Sequence, residues 1–172
     1  MTYVGGLLSS ELDSATFSSP APQDAAQIWD LVRNSPPLDQ NSAYSYILLA
    51  DHFRNTCVTA RRQELIIGFI SAYLVPSTPG VLFVWQVVVD PSFRGMGLAG
   101  RMLDELLARK ETAGITELHT TVSPGNESSR SLFRSLARRL GVPLTERAGY
   151  GRELFPGGDH DDEPLLVIGP LK

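Results

Sequence analysis

Apolar residues at Ala25, Ile28, Trp29 and Val32 recur at three- and four-residue intervals after Pro22. This spacing predicts a helix, which Pro36 and Pro37 must end because proline lacks the N–H donor and fixes φ. A second short helix is predicted over residues 39–53, with Asn41 or Ser42 as N-cap and Tyr44, Ile47 and Leu48 on one face. Residues 56–61 and 65–75 are rich in β-branched and aromatic types and flank the polar Arg62-Gln63-Glu64, the pattern of a hairpin; residues 76–80 then turn the chain. Val81–Val89 is a near-continuous apolar run, as expected of a strand buried on both faces. Beyond it, Leu98, Ala99, Met102, Leu103, Leu106 and Leu107 mark the longest helix, with Arg109, Lys110 and Gly114 as its C-terminal signals.

Residues 117–122 read as a further strand and Ser123-Pro124-Gly125 as a turn. Asn126 should cap a helix presenting Leu132, Phe133, Leu136, Ala137 and Leu140, which Gly141 ends. Residues 142–148 and 164–168 are weaker strand patterns around an acidic loop, 157–163. The predicted class is α/β, a mixed central sheet flanked by helices.

At 172 residues the chain has room for one domain of roughly 150 residues and not for two. The composition, 42% apolar and 20% charged, is that of an ordinary globular protein. A formal charge of −4 lacks the basic footprint of a nucleic-acid or anionic-membrane binder, so small molecules or proteins are the expected partners, with no nucleic acid and no membrane. Cys57 is the sole cysteine, which excludes an intrachain disulfide and a Cys-based zinc site and suits a reducing cytoplasm. No basic, apolar leader opens the sequence and no stretch approaches the roughly 18 apolar residues of a membrane span. Residues 1–15, with Gly5, Gly6 and several serines, are expected to form a flexible N-terminal segment, and 16–172 a single domain.

The segment Arg94-Gly95-Met96-Gly97-Leu98-Ala99-Gly100 joins the buried strand to the longest helix. Amides without intrahelical partners point outward at such a junction, and the helix dipole favours an anion there. Small residues let a phosphate approach the main chain, while Arg94 and Arg101 can add charge-assisted bonds. A glycine-rich turn that merely permits close packing is the structural alternative. Gly95-x-Gly97-x-x-Gly100 also matches the dinucleotide fingerprint, but that motif opens the first βαβ unit and needs an acidic residue roughly twenty positions on. Thr120 and Thr121 stand there instead, and the chain after Gly100 is too short for the rest of a Rossmann sheet.

Pro91-x-x-Arg94-Gly95-x-Gly97-x-Ala99 after an apolar strand closely resembles motif A of the GNAT N-acetyltransferases, which holds the pyrophosphate of acetyl-CoA in that family. Thr121-Val-Ser-Pro-Gly-Asn126, leading into Ser129-x-x-Leu132-Phe133, resembles motif B, whose helix lies along the pantetheine arm. The resemblance thus implies acetyl-CoA as co-substrate, held by Val87, Val88, Val89, Arg94, Gly95, Met96, Gly97, Leu98, Ala99, Gly100, Asn126 and Phe133. Many relatives carry at the Phe133 position a tyrosine that protonates the departing thiolate; this chain departs there.

A narrower resemblance is to the diaminobutyrate acetyltransferases of ectoine synthesis. It is carried by Pro37-Leu38-Asp39-Gln-Asn41-Ser42-x-Tyr44-x-Tyr46, Leu82-Phe83-Val84-Trp85-Gln86-Val87, Thr120-Thr121-Val122 and His160-Asp-Asp-Glu163. It implies acetylation of the 4-amino group of L-2,4-diaminobutyrate by a cytoplasmic homodimer, a step towards a compatible solute. The alternatives are a GNAT acting on another small amine or a protein amino terminus, and an acetyl-CoA-binding regulator without turnover.

An aliphatic amine of pKa roughly 10 arrives protonated and must lose a proton before it can attack a thioester. Asp39 and Glu163 are the candidate acceptors; a helix cap and a solvated loop charge are their structural alternatives. The substrate-binding candidates are Asp39, Asn41, Ser42, Tyr44, Trp85, Thr121, His160 and Glu163, polar or aromatic types suited to an α-carboxylate, an α-ammonium and a short chain. Water or Tyr44 is the candidate proton donor to the thiolate, and Tyr46 reads as a core or interface residue. Arg130, Arg134 and Arg138 recur every four residues, either for cofactor phosphates or as a solvated stripe. The acids of 160–163 lack a second liganding cluster, so no metal is expected.

Overall fold

The computed structural model describes residues 15–172 apart from 37, 39, 158 and 159. The expectations for the N-terminal segment before Ala15, for Pro37 and for Asp39 therefore lie outside the described residues. The chain divides into two compact units, one comprising residues up to Ser71 with Gln86–Glu111 and the other Ala72–Trp85 with Thr112–Lys172.

The first unit holds strands β1 (Thr16–Ser18) and β2 (Val58–Arg62), most of β3 (Leu65–Leu74) and the end of β4 (Val81–Val89), with helices α1 (Ala25–Arg33), α2 (Ala43–Asp51) and α3 (Leu98–Leu107). A 3-10 turn at Pro22–Asp24 leads into α1, and Asp24 fixes it by accepting from the Ala21 amide at 2.8 Å and pairing with Arg61 at 2.5 Å. Nine residues is short for a helix that must stand alone, since isolated helices under about 12–15 residues are marginal. Helix α2 is held instead by burying Tyr46, Leu49 and Ala50, at about 1.5–3 kcal/mol for each large side chain. Tyr46 and Leu49 pack with Ile28, Leu31 and Val32 of α1, Ile66 and Phe69 of β3, and Val88 of β4.

The second unit holds β5 (Glu117–Thr121), helix α4 (Glu127–Leu140), β6 (Leu144–Tyr150) and β7 (Glu163–Ile168), with the first part of β4. Helix α4 buries Phe133, Leu136 and Ala137, begins at Asn126, whose Oδ1 accepts from the Ser129 amide at 3.1 Å, and ends at left-handed Gly141. Hydrogen bonds from the Gly141 amide to the Arg138 carbonyl and from the Val142 amide to the Ala137 carbonyl close it in a Schellman arrangement.

Seven strands hydrogen-bond in the order β1-β2-β3-β4-β5-β7-β6, a mixed sheet flanked by helices. β4 and β5 run parallel, while β1, β2 and β3 and the β5-β7-β6 set pair antiparallel. The β4–β5 register takes in Val81–Phe83 opposite Glu117–His119 and stops there, although β4 runs on to Val89.

Four expectations need correction. Helix α3 ends at Leu107 with Ala108 as its C-cap, so at 10 residues it is shorter than α4 with 14 and is not the longest; a 3-10 turn at Lys110–Thr112 precedes Gly114, which caps nothing. Arg109 holds the segment before β2 instead, donating to the Asn55 and Cys57 carbonyls at 3.3 and 2.7 Å. The second helix starts at Ala43, after Ser42 in extended conformation. The weak strand after α4 runs from Leu144 to Tyr150, because Val142 is committed to the helix end and Pro143 has no amide to give a ladder.

Candidate active site

After β4 the chain turns at Asp90, whose Oδ1 accepts from the Ser92 amide at 2.8 Å, through a 3-10 turn at Pro91–Phe93. Arg94 is drawn back onto the strand end, its Nε donating to the Val89 carbonyl at 3.2 Å. Gly95 and Gly97 follow with φ of 74° and 79°, where a residue bearing a Cβ pays about 1–2 kcal/mol. A Cβ built on either would meet nothing within 4 Å, so the space before these glycines is open. Helix α3 starts behind them with Gly97 as N-cap and no side-chain cap bond, which leaves the amides of Leu98, Ala99 and Gly100 to an external acceptor. Arg101 lies over the Phe17 ring at 5.1 Å, and Arg62 over Phe93 at 5.8 Å.

Trp85 is 44% exposed although the four residues before it on β4 are buried. The next residue, Gln86, is buried; its backbone N–H donates to Ser71 Oγ at 3.1 Å and its side-chain Oε1 accepts from the Tyr46 hydroxyl at 3.2 Å. Val88 is buried, and Val87 and Val89 are half-buried. In the elbow before α2, Leu38 packs on the core and Asn41 is half-buried. Ser42 is the N-cap, its Oγ accepting from the Ser45 amide at 3.3 Å, and Tyr44 is 66% exposed.

Within the second unit the strand registers gather three candidates. His119 lies opposite Phe83 on one side and Val167 on the other, and Thr121 lies opposite Leu165. Side chains alternate along a strand and directly paired residues share a face, so Trp85, Thr121 and Glu163 project from the same face at the same end of β4, β5 and β7. Glu163 in turn stands opposite Tyr150. Gly149 passes so close that a Cβ on it would run into the Glu163 carbonyl oxygen and lie 2.8 Å from the Leu165 amide. The loop between β6 and β7 is held by the Arg152 amide donating to Asp162 Oδ1 at 2.9 Å, and by the Phe155 and His160 rings, stacked with centroids 3.8 Å apart and planes 5° from parallel.

The family profile described as "Acetyltransferase (GNAT) family" matches residues 25–137. The chain belongs to the GNAT acetyltransferase family. The L-2,4-diaminobutyric acid acetyltransferase of Bordetella parapertussis is 47% identical over 153 residues, covering 88% of this chain and 82% of that one. The enzyme of the same description from Marinococcus halophilus is 40% identical over 160 residues, covering 93% and 92%. A solved structure of the diaminobutyrate acetyltransferase of Paenibacillus lautus, in complex with L-2,4-diaminobutyric acid and coenzyme A, superposes with a TM-score of 0.88 at 45% identity, covering 91% of this chain and 95% of that one.

The GNAT cofactor is acetyl-CoA, and the glycine turn fits its pyrophosphate: uncapped amides at the start of α3, and open space where any other residue would place a Cβ. Other members of the cofactor set have duties of their own. Asn126 caps α4 and Phe133 is 2% exposed. Arg130 pairs with Glu146 and donates to the Val122 carbonyl, and Arg134 pairs with Glu127 at 2.5 Å. These pairings belong to the structural alternative for the arginine stripe. Among the described residues no group of three or more His, Cys, Asp or Glu is placed to hold a metal ion, and no helix is long and apolar enough to cross a membrane.

Three features of this GNAT chain were not read from its sequence. The buried Tyr46–Gln86–Ser71 chain of polar groups had one available signal, a glutamine inside an otherwise apolar strand. The second is Tyr73, whose ring packs on Phe83 at 5.4 Å; burial raises its phenol above the ordinary 10.0, and the neighbouring Tyr150 adds to the rise. His119 and Glu117 pair on β5 at 2.7 Å, a link between alternate residues that strand periodicity alone permits.

Proposed function

We propose that this chain transfers the acetyl group of acetyl-CoA to the 4-amino group of L-2,4-diaminobutyrate. The observation that carries the reading is its likeness, at 45% identity and a TM-score of 0.88, to a diaminobutyrate acetyltransferase solved with that amine and coenzyme A. In this reading the acetyltransferase domain spans residues 16–172, and the step belongs to the synthesis of an osmoprotective solute in the cytoplasm. The enzyme works as a homodimer; the exposure of every residue of the edge strand β6 from Thr145 to Tyr150 supports a covering partner.

The amides of Leu98, Ala99 and Gly100, with Arg94, Gly95, Met96 and Gly97, hold the pyrophosphate, and the main chain of Val87, Val88 and Val89 guides the pantetheine arm past Asn126 and Phe133. Acetyl-CoA supplies a thioester whose carbonyl carbon the free amine attacks. Freeing an amine of pKa roughly 10 at neutral pH costs about 4 kcal/mol, which a positioned carboxylate offsets by taking the proton. Glu163 or Asp39 takes that role. Trp85 packs on the short aliphatic chain, and Asn41, Ser42, Tyr44, Thr121 and His160 bind its carboxylate and ammonium groups. The C–N bond forms, the C–S bond breaks, and the departing thiolate, of pKa roughly 8.5, takes a proton from water or Tyr44.

The test is thiol release from acetyl-CoA across a panel of amines, with the acetylated position read by NMR. Diaminobutyrate should be the preferred acceptor, modified at N4. Turnover confined to another amine or to peptide amino termini would overturn the substrate, and binding of acetyl-CoA with no thiol release from any amine would overturn the activity.

A further inference from the structure

From Ile66 to Ala72 strand β3 carries one polar side chain, that of Ser71, and it is fully buried. A buried hydroxyl costs free energy unless it is hydrogen-bonded, and Ser71 Oγ accepts from the main-chain N–H of Gln86 at 3.1 Å. Residue 86 is held a second time through its side chain, whose Oε1 accepts from the buried Tyr46 hydroxyl at 3.2 Å. The pairing of β3 with β4 is out of step across this bond. At one end the Val75 amide donates to the Val81 carbonyl at 2.9 Å, and at the other the Asp90 amide donates to the Ile67 carbonyl at 2.9 Å. These two bonds lie eight positions apart along the first strand and nine along the second, so β4 carries one residue too many for a regular antiparallel ladder, which is a β-bulge. The Tyr73 and Phe83 rings, packed at 5.4 Å, follow the first register, and Gln86 at Ser71 follows the second. The extra residue therefore falls between Phe83 and Gln86, just ahead of Val87.

We propose that Ser71 is a positioning residue for acetyl transfer: its hydroxyl anchors the offset of β4 at Gln86 and so sets the direction of the Val87 main chain, along which the thioester lies. This rests on the course given above to the pantetheine arm. A bulge bends its strand and increases the local twist, so the bond that fixes where the bulge sits also fixes how the following residues are aimed. A side-chain oxygen suits this task because it stands off the main chain of β3 and meets an N–H that the extra residue has displaced; alanine at 71 keeps the strand and removes that oxygen. The pyrophosphate is held elsewhere, at the glycine turn, so a change of aim at Val87 alters how the thioester carbonyl meets the amine and leaves the grip on the cofactor as it was.

The experiment reads kcat and the KM for acetyl-CoA on the full chain, per folded molecule, with the folded fraction taken from circular dichroism and with the amine that the wild type turns over best. Ser71→Ala should lower kcat about 10–100-fold, because a displacement of about 1 Å at the reacting atoms costs up to about 10²-fold, while KM for acetyl-CoA stays at the wild-type value. Loss of stability alone would lower the folded fraction and leave kcat per folded molecule intact. Ser71→Thr and Ser71→Val have the same shape and differ by the hydroxyl. The threonine variant should keep most of the wild-type kcat and the valine variant should fall as alanine does; this pair decides the matter if the alanine variant fails to fold. Wild-type kcat in the alanine or valine variant overturns the proposal. So does an equal loss in threonine and valine, which assigns the effect to bulk, and so does a raised KM for acetyl-CoA with kcat intact. A wild type that acetylates another amine in place of diaminobutyrate overturns the substrate reading alone, and the Ser71 series is decided on that amine.

Discussion

The Tyr46 hydroxyl donates to Gln86 Oε1 at 3.2 Å, joining helix α2 to strand β4 through two buried side chains. A buried acceptor that loses its donor costs about 1–3 kcal/mol, more than the transfer gain from removing one hydroxyl. Tyr46→Phe should therefore lower stability by about 1–3 kcal/mol in denaturant unfolding. Tyr46→Phe combined with Gln86→Leu should cost less than the sum of the two single changes, because the second removes the acceptor that the first deprives. Strict additivity would show that the two groups do not act together.

At the glycine turn, Gly97→Ala places a Cβ at φ of 79° and into the open space before the amides of α3. Expected are a loss of about 1–2 kcal/mol in stability and a rise in KM for acetyl-CoA with the amine KM unaltered. Gly114→Ala is the control. That glycine has ordinary φ and open surroundings, so the change should be neutral or add about 0.4–1 kcal/mol by restricting the unfolded chain. Equal effects of the two substitutions on acetyl-CoA would remove the turn from the cofactor site.

Glu163→Gln should lower kcat by about 10²–10⁴-fold if this carboxylate takes the proton of the amine. The remaining rate should climb with pH as the free amine becomes available by itself. Asp39→Asn is the companion variant, and the one of the two whose loss is recovered at high pH identifies the acceptor. Full activity in both variants would leave water to do the work.

Tyr73 gives a pH dependence of known sign. Burial raises its phenol above 10.0, with the Tyr150 charge adding to the rise, so the folded chain holds this proton more tightly than the unfolded one. The stabilisation is complete below pH 10 and is lost as pH climbs past 10 and through the folded value. Between pH 9 and 11 the wild type should lose stability faster than Tyr73→Phe in parallel unfolding curves. Parallel slopes would show that this phenol is solvated.

The strongly periodic segments were legible: α1, α3, α4 and the strands β3, β4 and β5 follow from spacing and β-branched runs, and Asn126 and Gly141 bracket α4 by their chemistry. Strand β1 was not, since three residues are too few to show alternation and its pairing with β2 is a tertiary fact. The glycine turn was readable because a strand, two glycines and a helix stand consecutively. The grouping of Trp85, Thr121 and Glu163 was not readable as geometry: they come from three strands, and only the register across those strands puts them on one face. Ser42 and Asn126 show the opposite difficulty, because residue types that suit a ligand also suit a helix start, and both cap a helix here.

Gly149 has no functional group, yet its main chain lies against the carbonyl of Glu163 on the neighbouring strand. Any larger residue there must push the start of β7 aside and carry the carboxylate with it. If Glu163 takes the amine proton, a position with nothing to donate, accept or ionise sets the aim of one that does, and random mutagenesis should find kcat losses at 149 that inspection of reactive side chains would never nominate.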